Sequence, residues 1–257
     1  MRLETHLRER RDAGHRLLVP YVTGGLGASW LDVVRAVADA GADAIEIGIP
    51  FSDPVMDGPI IQEASQRALE LGATPAKIVA DAAALDVDVP LAVMTYTNPV
   101  HHAGEERFAA MLADAGIDGA IVPDLPLDEI DVWAAAADRA GVETVLLAAP
   151  NTPDGRLASI CERSRGFVYG VSLMGVTGER AELAARAARV AARIKAVTDT
   201  PVLLGVGIST PEQAVAAARH ADGVIVGSAL VRRLLSGGGP EAAHDFVAEL
   251  RAALDRG

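Results

Sequence analysis

The stretch Ala44-Ile45-Glu46-Ile47-Gly48-Ile49-Pro50-Phe51-Ser52-Asp53-Pro54-Val55-Met56-Asp57-Gly58-Pro59 decides how this chain is read. Ala44 to Ile49 is a short apolar run bounded by turn residues, which predicts a buried strand with a carboxylate at its centre. Side chains alternate along a strand, so Ala44, Glu46 and Gly48 share one face while Ile45, Ile47 and Ile49 share the other. The acid therefore faces the side kept open by small residues. Beyond it, Pro50 and Pro54 stiffen a loop that carries Asp53 and Asp57 before Gly58-Pro59 ends it. Singly, these acids have ordinary explanations: a strand Glu can pair with an Arg, and loop aspartates often bond their own backbone. As a set, one strand acid and two loop acids converge on the same end.

Working outward, short apolar runs with β-branched residues fall at Leu17 to Thr23, Ala44 to Ile49, Leu91 to Tyr96, Gly119 to Pro123, Thr144 to Ala148, Phe167 to Val171, Val202 to Val206 and Val224 to Val226. Eight strands are what a (β/α)8 TIM barrel needs, and the 257 residues match its usual length. Ala-rich segments of helical period lie between them, among them Trp30 to Ala40, Ile60 to Leu71, Glu105 to Ala115, Glu129 to Ala140, Ala181 to Val197 and Pro211 to His220. Such alternation predicts parallel βα units.

An internal echo supports this. Asp39-Ala40-Gly41-Ala42-Asp43, Asp114-Ala115-Gly116-Ile117-Asp118 and Arg139-Ala140-Gly141-Val142-Glu143 share one order of helix end, Gly, acid and strand, and His220-Ala221-Asp222 is a looser copy. Glycine takes the left-handed cap that stops a helix, and the chain turns into the next strand within a few residues. No Ser/Gly linker divides the chain. One α/β domain over residues 1–257 is expected, with an extra helix at Leu3 to Asp12 and a last helix at Glu241 to Leu254.

Composition narrows the partners. The formal charge of −12, with no basic stripe, argues against nucleic acid. No apolar run approaches the roughly 20 residues of a membrane span, and the charged start lacks the apolar core of a signal peptide, so the cytoplasm is expected. Cys161 is the only cysteine and reads as a helix-packing residue. His101-His102, read as an extended or turn segment, would point different ways rather than at one metal, and no metal is expected.

In a barrel of this kind the chemistry sits at the C-terminal ends of the strands. Strand seven runs into Gly205-Val206-Gly207-Ile208-Ser209 and strand eight into Gly227-Ser228, where Ser228 starts a short helix. Glycines let backbone N–H groups approach an anion, and a helix N-terminus adds its positive dipole end, so this pair predicts a phosphate site. After strand six, Ser172-Leu173-Met174-Gly175-Val176-Thr177-Gly178-Glu179-Arg180 reads as a lid with glycine hinges or as a rigid surface loop. Tyr169 lies on the same rim.

With these pieces in order, the chain resembles the tryptophan synthase alpha chain family across nearly its whole length. The resemblance is carried by Glu46 with Gly48 to Pro54, Asp57-Gly58-Pro59, Tyr169, Gly175 to Gly178, Gly205 to Ser209 and Gly227-Ser228. It implies retro-aldol cleavage of indole-3-glycerol phosphate to indole and glyceraldehyde 3-phosphate in L-tryptophan biosynthesis. It also implies delivery of indole to a pyridoxal-phosphate-dependent beta chain within an alpha2-beta2 heterotetramer, with no cofactor in this chain. By matching position, Glu46 is the acid/base, Asp57 contacts the indole N–H, and Gly178, Gly207, Gly227 and Ser228 hold the phosphate. Thr177 is the lid residue that orders Asp57, Tyr21, Tyr96 and Tyr169 fall at pocket positions, and Asp53 with Pro54 meets the beta chain. A stand-alone lyase releasing free indole is the alternative.

The residue chemistry agrees. Breaking a C–C bond this way needs an electron sink, usually a lysine Schiff base or a metal. The only lysines, Lys77 and Lys195, fall in helical segments rather than at strand ends, so the substrate must supply its own sink, and the C3-protonated indole ring of the implied substrate can do so. A carboxyl raised by burial, as Glu46 should be, suits both proton transfers, and ionised Asp57 would stabilise charge at the ring nitrogen. Two departures stand out: Gly24-Gly25-Leu26-Gly27 replaces the Gly-Asp-Pro turn of many members, and Leu173-Met174 replaces an early lid Arg.

Overall fold

The structure, a computed structural model, describes residues 2–171 and 180–257, without the side chains of 180–186. Eight parallel strands, β1 (Leu17–Thr23), β2 (Ile45–Gly48), β3 (Leu91–Met94), β4 (Gly119–Ile121), β5 (Glu143–Ala148), β6 (Val168–Val171), β7 (Val202–Gly205) and β8 (Gly223–Val226), close into a barrel in sequence order. The first half of the chain adds α1 (Leu3–Asp12), α2 (Trp30–Asp39), α3 (Pro59–Glu70), α4 (Pro75–Ala82), α5 (Thr97–Ala103) and α6 (Glu105–Asp114). The second half adds α7 (Asp131–Ala140), α8 (Asp154–Arg163), α9 (Arg180–Lys195), α10 (Pro211–Ala218), α11 (Ser228–Leu235) and α12 (Gly239–Leu254). The TIM-barrel expectation holds, including the extra first helix and the short helix after β8.

Alternation along the strands builds two cores. Outward-facing Ile45, Ile47 and Val93 meet the apolar stripes of the helices, such as Val33, Val34 and Val37 of α2. Inward-facing Leu17, Val19, Ala44, Ala92, Ile121 and Val145 fill the barrel, and Leu3 and Leu7 of α1 pack into the same cluster. That helix closes the N-terminal end of the barrel and leaves the opposite end for chemistry. Helix starts follow local rules: Thr74 and Thr210 accept the N–H of Lys77 and Gln213, each with proline at the next position.

The repeated joint has a physical function. Gly41, Gly116 and Gly141 take positive φ of 97°, 72° and 76° and stop their helices. The acid that follows then clasps the preceding strand in the sheet. Asp43 donates its N–H to Leu18 O at 2.8 Å while its carboxylate accepts the Leu18 N–H at 2.8 Å. Asp118 does the same with Leu91, at 2.8 and 3.1 Å, and Asp222 with Val202, at 2.9 and 2.8 Å. Three strand entrances are thus fixed by one device, which satisfies backbone groups that a barrel rim would otherwise leave open.

The fourth joint differs. Glu143 keeps the backbone bond, to Asp118 O at 2.8 Å, but its longer side chain reaches α1 and accepts the Glu4 N–H at 2.7 Å. Glu143 belongs to β5 itself, one residue before the run read from sequence. A second correction concerns His101 and His102, which lie in helix α5 rather than in an extended or turn segment. Asp124, across the rim, accepts both the Thr97 N–H at 2.9 Å and its hydroxyl at 3.0 Å, a helix-starting contact supplied from a distance. Cys161 is buried on α8, as expected.

Candidate active site

Two inward-facing neighbours define the site. Tyr21 on β1 and Glu46 on β2 are register partners, and Thr23 pairs with Gly48 one step toward the mouth. A methyl group placed on Gly48 would sit 1.8 Å from Tyr21 Oη, so only glycine leaves room for the phenol there. Glu46 is 1% exposed, and both of its carboxylate oxygens are buried without a hydrogen-bond partner. Burial, assisted by the nearby charge of Asp57, pushes this carboxyl up to about 8.

Asp57 is half-buried on the loop after β2. Burial pushes its carboxyl up to about 6, and a hydrogen bond from Tyr96 pulls it back. Near neutral pH the pair therefore divides: Glu46 holds its proton and Asp57 is ionised. Two carboxyls whose environments hold them apart in this way can act as acid and as electrostatic partner.

The acid loop is fastened at several points. The Tyr96 hydroxyl accepts the Met56 N–H at 3.1 Å, and its ring stacks on Phe51 with centroids 5.2 Å apart. Gln62 of α3 donates to Asp57 O at 2.9 Å, and Asp57 N–H bonds Pro54 O at 3.0 Å. Sequence reasoning placed Tyr96 in the pocket but did not see it as the anchor of this loop, and it missed Phe51 and Gln62. The spacing of Gln62, five residues beyond Asp57 on the first turns of α3, was the available signal.

Tyr169 lies on β6, and Gly207, Gly227 and Ser228 follow β7 and β8 at the same end of the barrel. Tyr169 lays its ring over Gly205, where a methyl group would lie 2.4 Å from Tyr169 Cε2. Gly207 has φ +73°, and Gly227 directly precedes the first turn of α11, which opens at Ser228. The start of α11 adjoins Tyr21, the register partner of Glu46, because a methyl on Gly227 would touch Tyr21 Cβ at 3.5 Å. Backbone N–H groups of a helix's first turn lack intrahelical acceptors and suit an anion. Thr177, Gly178 and Leu173-Met174 lie outside the described residues.

On the outer side of the acid loop, Asp53 is exposed and accepts the Ser52 hydroxyl at 2.6 Å. Pro54 is half-buried beside Val55 and Met56, which are 78% and 52% exposed. Such an apolar tip on a soluble face is the composition of a contact surface. The altered first loop also has a structural basis. A methyl on Gly24 would lie 2.7 Å from Ile78 Cγ2, and Gly25 has φ +77° with Ala73 Cβ 2.9 Å from the position a methyl would take. The loop after β1 therefore packs tightly on the start of α4.

Comparison with known proteins agrees with this fold. The family model for the tryptophan synthase alpha chain matches residues 7–253. A tryptophan synthase alpha chain of Thermobifida fusca is 44% identical, with 98% of this chain and 97% of that one covered. One from Streptomyces coelicolor is 47% identical over 93% of this chain and 87% of its own. Among solved structures, Mycobacterium tuberculosis tryptophan synthase matches with a TM-score of 0.91 and 39% identity, covering 98% of both chains. The alpha chain of Legionella pneumophila matches with a TM-score of 0.88 and 31% identity, over 99% of this chain and 97% of that one. Strand acid, loop acid, barrel order and full-length similarity lead to one conclusion: this chain belongs to the tryptophan synthase alpha chain family.

Proposed function

We propose that this chain is the lyase subunit of tryptophan synthase and cleaves indole-3-glycerol phosphate to indole and glyceraldehyde 3-phosphate. The observation that supports this most is the division of labour between Glu46, held near 8, and Asp57, held near 6, in one pocket. Protonated Glu46 delivers its proton to C3 of the indole ring. The ring becomes an iminium, and ionised Asp57 faces its N–H and stabilises the positive charge. The carboxylate left on Glu46 takes the proton of the side-chain hydroxyl, the C3–C bond breaks into the ring, and an aldehyde forms. The proton given by Glu46 is thereby returned to it.

Tyr21, Tyr96 and Tyr169 wall the indole, while Gly207, Gly227 and Ser228, with Gly178 from the lid, hold the phosphate through neutral N–H donors. Thr177 orders Asp57. Asp53 and Pro54, with exposed Val55 and Met56 beside them, form the contact with a beta chain that carries pyridoxal phosphate, in an alpha2-beta2 assembly. Among the described residues no helix is long and apolar enough to cross a membrane, which accords with a cytoplasmic enzyme.

The test is indole release from indole-3-glycerol phosphate by the purified chain, alone and with a beta chain from the same source. Slow release that rises on adding the partner is expected. No release in either case would reject the reading.

A further inference from the structure

The mechanism above leaves Glu46 ionised after it has protonated the ring, buried and with no hydrogen bond to either oxygen. A bare buried carboxylate is costly, so a donor within reach would matter at that moment. Around and below Glu46 the inward-facing Ala44, Ala92 and Phe167 belong to the apolar cluster that fills the barrel. Above it lie two phenols with different orientations. Tyr169 is turned onto β7, over Gly205. Tyr21 is the register partner of Glu46 and leans onto β2, its hydroxyl directly over Gly48, the next inward-facing residue after the acid.

We propose that Tyr21 is the positioning residue for Glu46: its hydroxyl swings from above Gly48 to donate a hydrogen bond to the Glu46 carboxylate whenever that group is ionised. This rests on the lyase reading but adds a role for the hydroxyl, distinct from the ring's part in walling the pocket. Gly48 then has a reason beyond space for substrate, because any larger residue would expel the phenol from beside the acid. The titratable groups facing Glu46 are Asp57 from the loop, Tyr21 from β1 and Tyr169 from β6, while Tyr96, just before α5, faces Asp57. Asp57 disfavours the ionised Glu46, and of the two phenols Tyr21 is the one turned onto the strand of Glu46, whereas Tyr169 is turned onto β7.

Tyr21→Phe separates the two roles, because it keeps the ring and removes only the donor. In the full-length chain carrying 13C-labelled glutamate, the Glu46 carboxyl midpoint should move upward by about one unit relative to the parent protein. In turnover assays with the beta chain, kcat should fall about tenfold with KM changed less than about threefold. An unmoved Glu46 midpoint with unchanged kcat would overturn the proposal, as would a loss confined to KM, which would mean that the phenol acts only on the substrate. The carboxyl titration requires no turnover. A parent protein with no lyase activity would therefore defeat the functional reading and leave the Tyr21 test decided by the midpoint alone.

Discussion

The two ends of this barrel each bury a strand glutamate, and only one of them makes an active site. Glu46, Ala92, Gly119 and Glu143 are successive register partners across β2 to β5, all facing inward. Strand tilt carries that row from below the open mouth to the closed base. Each glutamate is 1% exposed, each has a buried oxygen without a partner, and burial pushes the first up to about 8 and the second up to about 7. Their surroundings differ. Glu46 faces Gly48, a phenol and a second acid at the end where loops and glycines leave room. Glu143 is covered by Leu3 and spanned by the first turn of α1, whose Glu4 N–H it accepts. Glu143 has acids beside it too, Glu4 and Asp118, so a raised carboxyl marks burial; the mouth formed by loops and glycines, with phenols facing inward, sets Glu46 apart.

Substitutions at the two acids should separate sharply. Glu46→Gln removes the titrating proton and keeps the shape, so turnover should fall by about a thousandfold or more while substrate affinity stays within about threefold. Single-turnover indole release together with equilibrium binding of the substrate measures both, and substantial residual turnover would remove Glu46 from the role. Asp57→Asn loses the charge opposite the ring nitrogen and should cost about a hundredfold in kcat, read from the same assay. An undiminished rate there would show that the loop acid only shapes the pocket.

Glu143→Gln should leave kcat unchanged and act on stability alone. The folded-state value of about 7 lies above the ordinary 4.5, so between those limits the folded protein binds the extra proton. Its contribution is present below about 4.5, is lost as pH rises through about 7, and stays lost above it. The variant should therefore match the parent near pH 5 and exceed it near pH 8, by up to about 3 kcal/mol in urea unfolding. Equal stability at both values would show that α1 offsets the buried charge fully.

Much of this was legible in the sequence, and the exceptions have physical causes. Strands of alternating or continuous apolar residues and the glycine-stopped joints fixed the barrel, because both depend on local periodicity and φ > 0. Glu46 stood out because a carboxylate inside the apolar run Ala44 to Ile49 is joined by two loop acids at the same strand end. Glu143 did not, since it occupies the same place in the joint as Asp43, Asp118 and Asp222; one extra methylene redirects it from a neighbouring strand to α1. The helix holding His101 and His102 was invisible because Asp124, which bonds its first residue, is 27 positions away from Thr97. The anchoring of Asp57 by Tyr96 likewise joins the start of α5 to the loop after β2, a contact that no local pattern encodes.

The most direct test of the account is the pH dependence of kcat/KM for indole release, followed above neutrality in the parent, Glu143→Gln and Tyr21→Phe proteins. If protonated Glu46 starts the reaction, kcat/KM falls as pH rises through about 8, and that limb is unmoved by Glu143→Gln. A parent profile that stays level to about pH 10, or a limb that shifts with Glu143, would contradict the assignment of the two glutamates.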